Sequence, residues 1–509
     1  MEDLLALSSV VSKQKIQKIE VLGQNPNPKL LTNQLYEGLI NGSIANDKEA
    51  LDLLYQDSKA KKKLYAIKTR LRSRLLNTLF FIDIQKHGKS DVDNAVIKSY
   101  QLLSAMKILK RRWRKKTAMK LAEEGLEKAM KFDLVDLVVI LSKELCTHYG
   151  VFDYNKKKYH KYDLISKQYF ELSKYEFRAN SLFIYFAQKM LKHSLDKSYA
   201  LQIESELKEL ESQLPNIQTI SFNYSTYNCL YFKSFLSGDY NKLIEISTSA
   251  VAYFRTKKVF KHIGEFSFLQ KLGVANYIQG NIQKAIEVYS EAQNMKLTPG
   301  KLPWFNIRSH LFIAHLSLKN YDSAFLYLHE VLSFSSFNSL YESFKETWLI
   351  KEAYMQLLIK MGKVTEADDS ENKLRPFRIN RFLNEVPHYS RDKSGRNIAI
   401  LIIHVLFLFI QKKDDELQRR LDALGQYSFR YLRNDETLRS NAFIKMLQKL
   451  PDANYHPKGI ERRVDKFYKR LVETPMNISE DSAETEVIPY EHLWEIVLEL
   501  MQMRVNKEI

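Results

Sequence analysis

Residues 268–292 read Phe268-Leu269-Gln270-Lys271-Leu272-Gly273-Val274-Ala275-Asn276-Tyr277-Ile278-Gln279-Gly280-Asn281-Ile282-Gln283-Lys284-Ala285-Ile286-Glu287-Val288-Tyr289-Ser290-Glu291-Ala292. Apolar residues recur at helical spacing on both sides of Gly280. A glycine at that point suits the left-handed residue that ends a helix. The stretch therefore predicts two helices folded back on each other about Gln279-Gly280-Asn281-Ile282. The same signature recurs at Ser237-Gly238-Asp239-Tyr240, Leu318-Lys319-Asn320-Tyr321 and Met361-Gly362-Lys363-Val364, in steps of 42, 39 and 43 residues. Five residues after Gly238, Gly280, Lys319 and Gly362 stand Leu243, Ala285, Ala324 and Ala367. A recurring turn followed at fixed offset by a small or apolar residue marks stacked helical hairpins.

The best of these units resembles a tetratricopeptide repeat. Leu272-Gly273 in the first helix, Gly280 in the turn, Ala285, Tyr289 and Ala292 in the second helix and Pro299 after it follow that family's alternation of small and large packing positions. The first-helix aromatic falls one place late, at Tyr277, and Leu269 stands where the family commonly has Trp. The other three units match at the turn and the residue after it, and their period exceeds the family's usual length of about 34 residues. The resemblance implies an all-α fold, a right-handed superhelical solenoid of antiparallel helical hairpins with irregular repeats of about 40 residues. It also implies a groove that grips protein or peptide segments. Tyr224, Tyr227 and Tyr231 on the first helix of the first unit, with Asn276, are the groove candidates.

Composition supports long helices with short connections, since Gly accounts for 15 and Pro for 11 of 509 residues. Cys146 and Cys229 are the two cysteines, without a metal-ligand spacing, which fits a reducing compartment. Acidic residues at Glu2 and Asp3 stand where a secretion signal needs bases. A cytoplasmic location is expected. The apolar run Ile398–Ile410, with His404 inside it, is too short to span a bilayer and predicts a buried core helix.

The net charge of +18 is concentrated, because residues 59–120 hold 19 Lys or Arg against 3 acids. Within them Leu64, Ile67, Leu71 and Leu75 form one helical stripe, flanked by Lys68 and Arg72 on one side and Arg70 and Arg74 on the other. A second helix is expected from Val96 to about Lys131, carrying the run Arg111-Arg112-Trp113-Arg114-Lys115-Lys116. Lys68, Arg70, Arg72, Arg74, Arg111, Arg112, Arg114, Lys115 and Lys116 are the candidates for contact with an anionic partner.

The expected organisation is a basic helical region at 1–131, opening with an amphipathic helix at 1–20. Hairpins follow at 132–219, with helices at 134–147, 156–174 and from 180, and Gly150 capping the first. The repeats span 220–376 and further helices 377–472. An acidic flexible linker occupies 473–488, and a capping amphipathic helix 489–509. No phosphate-binding loop, dinucleotide fingerprint, HExxH or GxSxG stands in the chain. The expectation is a non-enzymatic scaffold or adaptor with no cofactor and no metal. It grips a protein or peptide and presents its basic surface to an anionic partner. The alternative is a nucleic-acid-associated regulator binding phosphates through 59–120.

Overall fold

The computed structural model describes residues 30–55, 57, 60–79, 91–192, 200–258, 261–295, 297–335, 337, 340, 342–366, 374, 376–385, 396–431, 438–474 and 486–506. Among them the fold is all-α, with no strand. The chain divides into two compact units, Met1–Arg178 and Ala179–Ile509. The division falls at neither 131 nor 219.

In the first unit α1 (Leu31–Ile40), α2 (Asp47–Leu54) and α3 (Lys61–Leu79) enclose a small core of Leu35, Ile44, Leu51, Leu64, Ile67 and Leu71. Asn46 begins α2 by accepting hydrogen bonds from the Lys48 and Glu49 amides. A second core joins α4 (Asp91–Arg111), α5 (Lys115–Lys131), α6 (Val135–Thr147) and the start of α7 (Lys156–Lys192) through Met106, Leu109, Met119, Leu126, Leu137, Leu141 and Tyr162. It runs through 131/132, where a boundary was expected. Two helices were expected over 156–192, yet one 37-residue helix covers them. Nothing in that stretch is Gly or Pro, so no residue breaks the ladder. Gly150 takes no left-handed conformation. It lies in the π-helical turn His148–Phe152, where a Cβ would come within 3.0 Å of the Tyr159 ring.

The second unit continues from the C-terminal part of α7. It then comprises α8 (Ala200–Ser212), α9 (Ile220–Ser237), α10 (Tyr240–Arg255), α11 (Lys261–Ile278), α12 (Ile282–Gln293), α13 (Leu302–Ser317), α14 (Tyr321–Leu332) and α15 (Glu342–Lys360). The rest is α16 (Ile379–Glu385), α17 (Arg396–Ile410), α18 (Asp414–Tyr431), α19 (Leu438–Leu447), α20 (Pro457–Glu473) and α21 (Tyr490–Val505). From α8 to α15 consecutive helices pack on one another. Small residues let them approach. A Cβ on Gly273 would lie 2.1 Å from Tyr289 Cε1, and one on Gly264 would lie 2.2 Å from Phe254 Cδ1. Tyr289 also stacks on His310 of α13 at 5.0 Å, so one ring ties three helices together. The helix at 396–410 is buried as its apolar run requires, His404 included. No helix of the described residues is long and apolar enough to cross a membrane.

The four turns share one geometry. Gly238, Gly280, Lys319 and Gly362 have φ of 71°, 84°, 60° and 65°. The next residue in each donates its amide to the carbonyl five positions back: Asp239 to Ser234 at 3.0 Å, Asn281 to Asn276 at 2.9 Å, Asn320 to His315 at 2.9 Å and Lys363 to Leu358 at 3.0 Å. This is the six-residue closure of a left-handed helix end. Three further helices end the same way without glycine, at Trp113, Asp133 and Lys412, with φ of 61°, 57° and 55°. The residue five places on from each described turn, Ala118, Val138, Leu243, Ala285, Ala324 or Leu417, is fully buried at 0 % exposure. It is the first buried apolar residue of the next helix at every one of these turns except that before α6, where Val135 and Leu137 precede Val138. Ala367 lies outside the described residues, as do 1–29.

The acidic segment ends earlier than expected. Glu486, Val487 and Ile488 are buried, and 475–485 lie outside the described residues. Arg439 of α19 bonds Glu486 Oε1 and Glu491 Oε2 at 2.6 Å each, and its Nη1 donates to the Leu471 and Thr474 carbonyls at 2.8 and 2.7 Å. Beyond this lock α21 packs on α17, α19 and α20. Its Glu495 and Glu499 reach Lys319 and Lys363 at 2.5 and 2.6 Å, and its Arg504 reaches Asp414 at 2.6 Å. It thus meets the ends of several hairpins and does more than cap the last.

Candidate anionic-partner surface

The basic stretch must dock on a core and still leave cations in water, so the fate of each side chain decides what it offers. On α3, Leu64, Ile67 and Leu71 are buried as the stripe requires, but Leu75 is exposed. The seam stops because Arg74 Nη1 already reaches Thr32 and Asn33, at 2.9 and 3.1 Å, at the start of α1. Residue 75 lies past the end of the helix that would cover it. Arg74 is therefore part of the packing. Lys68 pairs with Asp47 at 2.6 Å in an exposed contact, a type that adds about 0–1 kcal/mol. Arg70 and Arg72 are exposed.

The second basic run differs from expectation. It does not lie within one helix, because the chain turns sharply at 112–114 between α4 and α5, with Trp113 in the left-handed conformation. A helix end needs its carbonyls closed, and the Arg114 amide does this by donating to the Leu109 carbonyl at 3.0 Å. Arg111, Arg112, Arg114 and Lys116 are exposed around this turn. Upstream, Lys107 and Lys110 both bond the Glu144 carboxylate on α6. Burial pushes Glu144 up, but these two bonds outweigh it and hold the carboxyl below its ordinary value. The fold thus consumes Lys107, Lys110 and Arg74 and leaves Arg70, Arg72, Arg111 and Arg112 facing water. The α3 residues belong to the first core and the 111–116 turn to the second.

Beside the 111–116 turn stands the turn between α6 and α7. Glu123 of α5 accepts hydrogen bonds from Tyr149 and Tyr162 hydroxyls at 3.0 and 2.9 Å and from Lys158 Nζ at 2.9 Å. Burial raises the Glu123 pKa and these three donors more than offset it, so the carboxyl sits below its ordinary value. This network fixes residues 148–158 against α5. Lys115 Nζ then lies 3.7 Å from the centre of the Phe152 ring and 5.1 Å from that of Trp113. The run Val151-Phe152-Asp153-Tyr154-Asn155-Lys156-Lys157 was not singled out from sequence. Its two aromatics, Phe152 and Tyr154, followed by Lys156 and Lys157 were the available signal.

The groove candidates are absorbed by packing. Tyr231 and Asn276 are buried, and Asn276 Nδ2 donates to the Leu272 carbonyl in its own helix at 2.8 Å. Tyr224 meets Phe254 and Phe268 edge-on at 6.2 and 5.9 Å, and Tyr227 meets Phe268 at 6.0 Å. These aromatics fill the space among α9, α10 and α11, where a bound segment would have to displace them. Burial raises the thiol pKa of both Cys146 and Cys229, the opposite of what activates a nucleophile. A pocket of about 710 Å³ in the second unit is lined by Lys360, Arg378, Arg381, Asn380, Asn384 and Gln411 together with Phe377, Ile379 and Phe407. It offers cations and amides.

Compared with protein-family models, with curated proteins and with solved structures, the chain finds no match in any of the three.

Proposed function

We propose that this chain is a non-enzymatic cytoplasmic scaffold. Its hairpins stack as a right-handed tetratricopeptide-like solenoid that holds a protein partner, and its first unit presents a basic face to an anionic one. One observation carries the reading. The seams of α3, α4 and α5 satisfy the core, and the fold pairs Lys107 and Lys110 internally, yet Arg70, Arg72, Arg111 and Arg112 remain in water. Cations of one sign held out by a packed framework raise the local concentration of an anion. The repeat architecture is supported by helices that pack on their sequence neighbours from α8 to α15 and by the shared turn closure.

The test is retention of the full chain on immobilised heparin. Wild type is expected to bind at low salt and to elute late in a salt gradient. Arg70→Glu, Arg72→Glu, Arg111→Glu and Arg112→Glu together should abolish retention with unchanged helicity by circular dichroism, because none of the four sits in a core. Absence of wild-type retention at low salt overturns the reading.

A further inference from the structure

The two turns at one end of the α4–α7 array share a chemistry that cations alone do not explain. Trp113 is 80 % exposed, Val151 70 %, Phe152 53 % and Tyr154 73 %. The turn between α4 and α5 and the turn between α6 and α7 lie side by side, since the Lys115 ammonium sits 3.7 Å over the Phe152 ring. Large apolar side chains at adjacent turn tips pay a hydration cost that burial would remove. The Glu123 network holds these tips in place. Arg111, Arg112, Lys156 and Lys157 are exposed around them. Asp153, on this face, lies 3.8 Å from His148 Nε2.

Resting on the basic-face reading above, we propose that this end of the first unit docks on an anionic lipid bilayer surface. Trp113, Val151, Phe152 and Tyr154 enter the headgroup region, while Arg111, Arg112, Lys156 and Lys157 engage lipid phosphates and carboxylates. Tryptophan and tyrosine settle at the membrane–water interface because each has an apolar body and a polar tip. Basic residues beside a bilayer draw it toward anionic lipid. A nucleic acid fits the geometry less well. Val151 offers nothing for a base to stack on, and one face of Phe152 is already covered by Lys115. A bilayer needs only that the side chains protrude.

The experiment is co-sedimentation of the full chain with vesicles of zwitterionic phospholipid alone or with about a third of it replaced by phosphatidylserine, at about 0.1 M salt so that bulk electrostatics are partly screened. The chain should sediment with the anionic vesicles and stay in solution with the neutral ones. Trp113→Gly should weaken partitioning about tenfold, in keeping with the loss of one interfacial aromatic. That substitution relieves a left-handed backbone position, so lost binding cannot come from unfolding. Arg111→Glu with Arg112→Glu should weaken it by about a hundredfold or more. If vesicles leave the chain in solution while heparin still retains it, the bilayer proposal falls and the basic-face reading stands; if neither retains it, both fall. Binding to anionic vesicles that Trp113→Gly and Phe152→Ser leave unchanged also overturns the proposal. So does a single-stranded oligonucleotide that binds more tightly than the vesicles.

Discussion

Substituting Gly273 by alanine tests whether the α11–α12 hairpin closes as described. The added Cβ would lie 2.1 Å from Tyr289 Cε1 and 2.5 Å from Cδ1, so the ring must retreat by more than about 1 Å to regain ordinary contact. It has little room, because Tyr289 is buried and stacks on His310 with planes only 8° apart. Overpacking of this kind costs about 1–3 kcal/mol, and alanine in a helix returns about 1 kcal/mol relative to glycine. The expected net is a loss of up to about 2 kcal/mol in wild type. In a Tyr289→Ala background the obstacle is gone, and the same substitution should stabilise by about 1 kcal/mol. The sign reverses, with a coupling equal to the overpacking cost, about 1–3 kcal/mol. Hydrogen exchange of amides in 268–292, alongside urea unfolding, reads both backgrounds. A Gly273→Ala chain that is neutral or more stable with Tyr289 intact refutes the close approach.

Lys412→Gly should stabilise by about 0.5–1 kcal/mol in urea titrations, because a left-handed conformation costs a side-chain-bearing residue about 1–2 kcal/mol and the freer glycine chain returns only part of that; Gly280→Ala should destabilise by the same logic, with no atom near enough to clash. Arg439→Leu strands Glu486 in the core and should cost about 3–5 kcal/mol, with hydrogen exchange rising first across 486–505. Burial and then the nearby Lys351 charge hold His310 down at about 4. It is neutral in the fold and takes a proton more readily when unfolded. Its contribution is therefore intact above the ordinary histidine value and is lost as pH falls from 6.5 through about 4. The loss reaches roughly 3 kcal/mol by the linkage of pKa to stability, and His310→Phe should flatten the stability–pH curve in that window.

The helix at 396–410 was legible because its unbroken apolar run predicts a buried core helix. The turns at Gly238, Gly280 and Gly362 were legible because glycine tolerates positive φ. The turns at Trp113, Asp133 and Lys412 were not, since the backbone adopts there what the residue type argues against. Their signal lay five residues on, in Ala118, Val138 and Leu417. The break inside the basic run therefore went unread, and Trp113 was taken as a helix-face residue when it is a turn tip. Charge could be counted along the chain, but its use could not. Lys107 and Lys110 meet Glu144, more than thirty residues away. Lys68 meets Asp47, and Arg74 meets Thr32. Only the folded arrangement separates these from Arg111 and Arg112. The tyrosines at 224, 227 and 231 misled for a related reason, as an aromatic helix face reads alike whether it lines a groove or a core.

Trp113 supplies the most direct test of the docking face. Of the four tryptophans, Trp304, Trp348 and Trp494 are buried at 5 %, 1 % and 4 % exposure, and Trp113 is the exposed one. Acrylamide quenching of the free chain should therefore be dominated by Trp113. Anionic vesicles should protect that fluorescence and shift its emission to shorter wavelength, and Trp113→Gly should remove both the quenchable component and the response. Quenching that is the same with and without anionic vesicles would contradict the account.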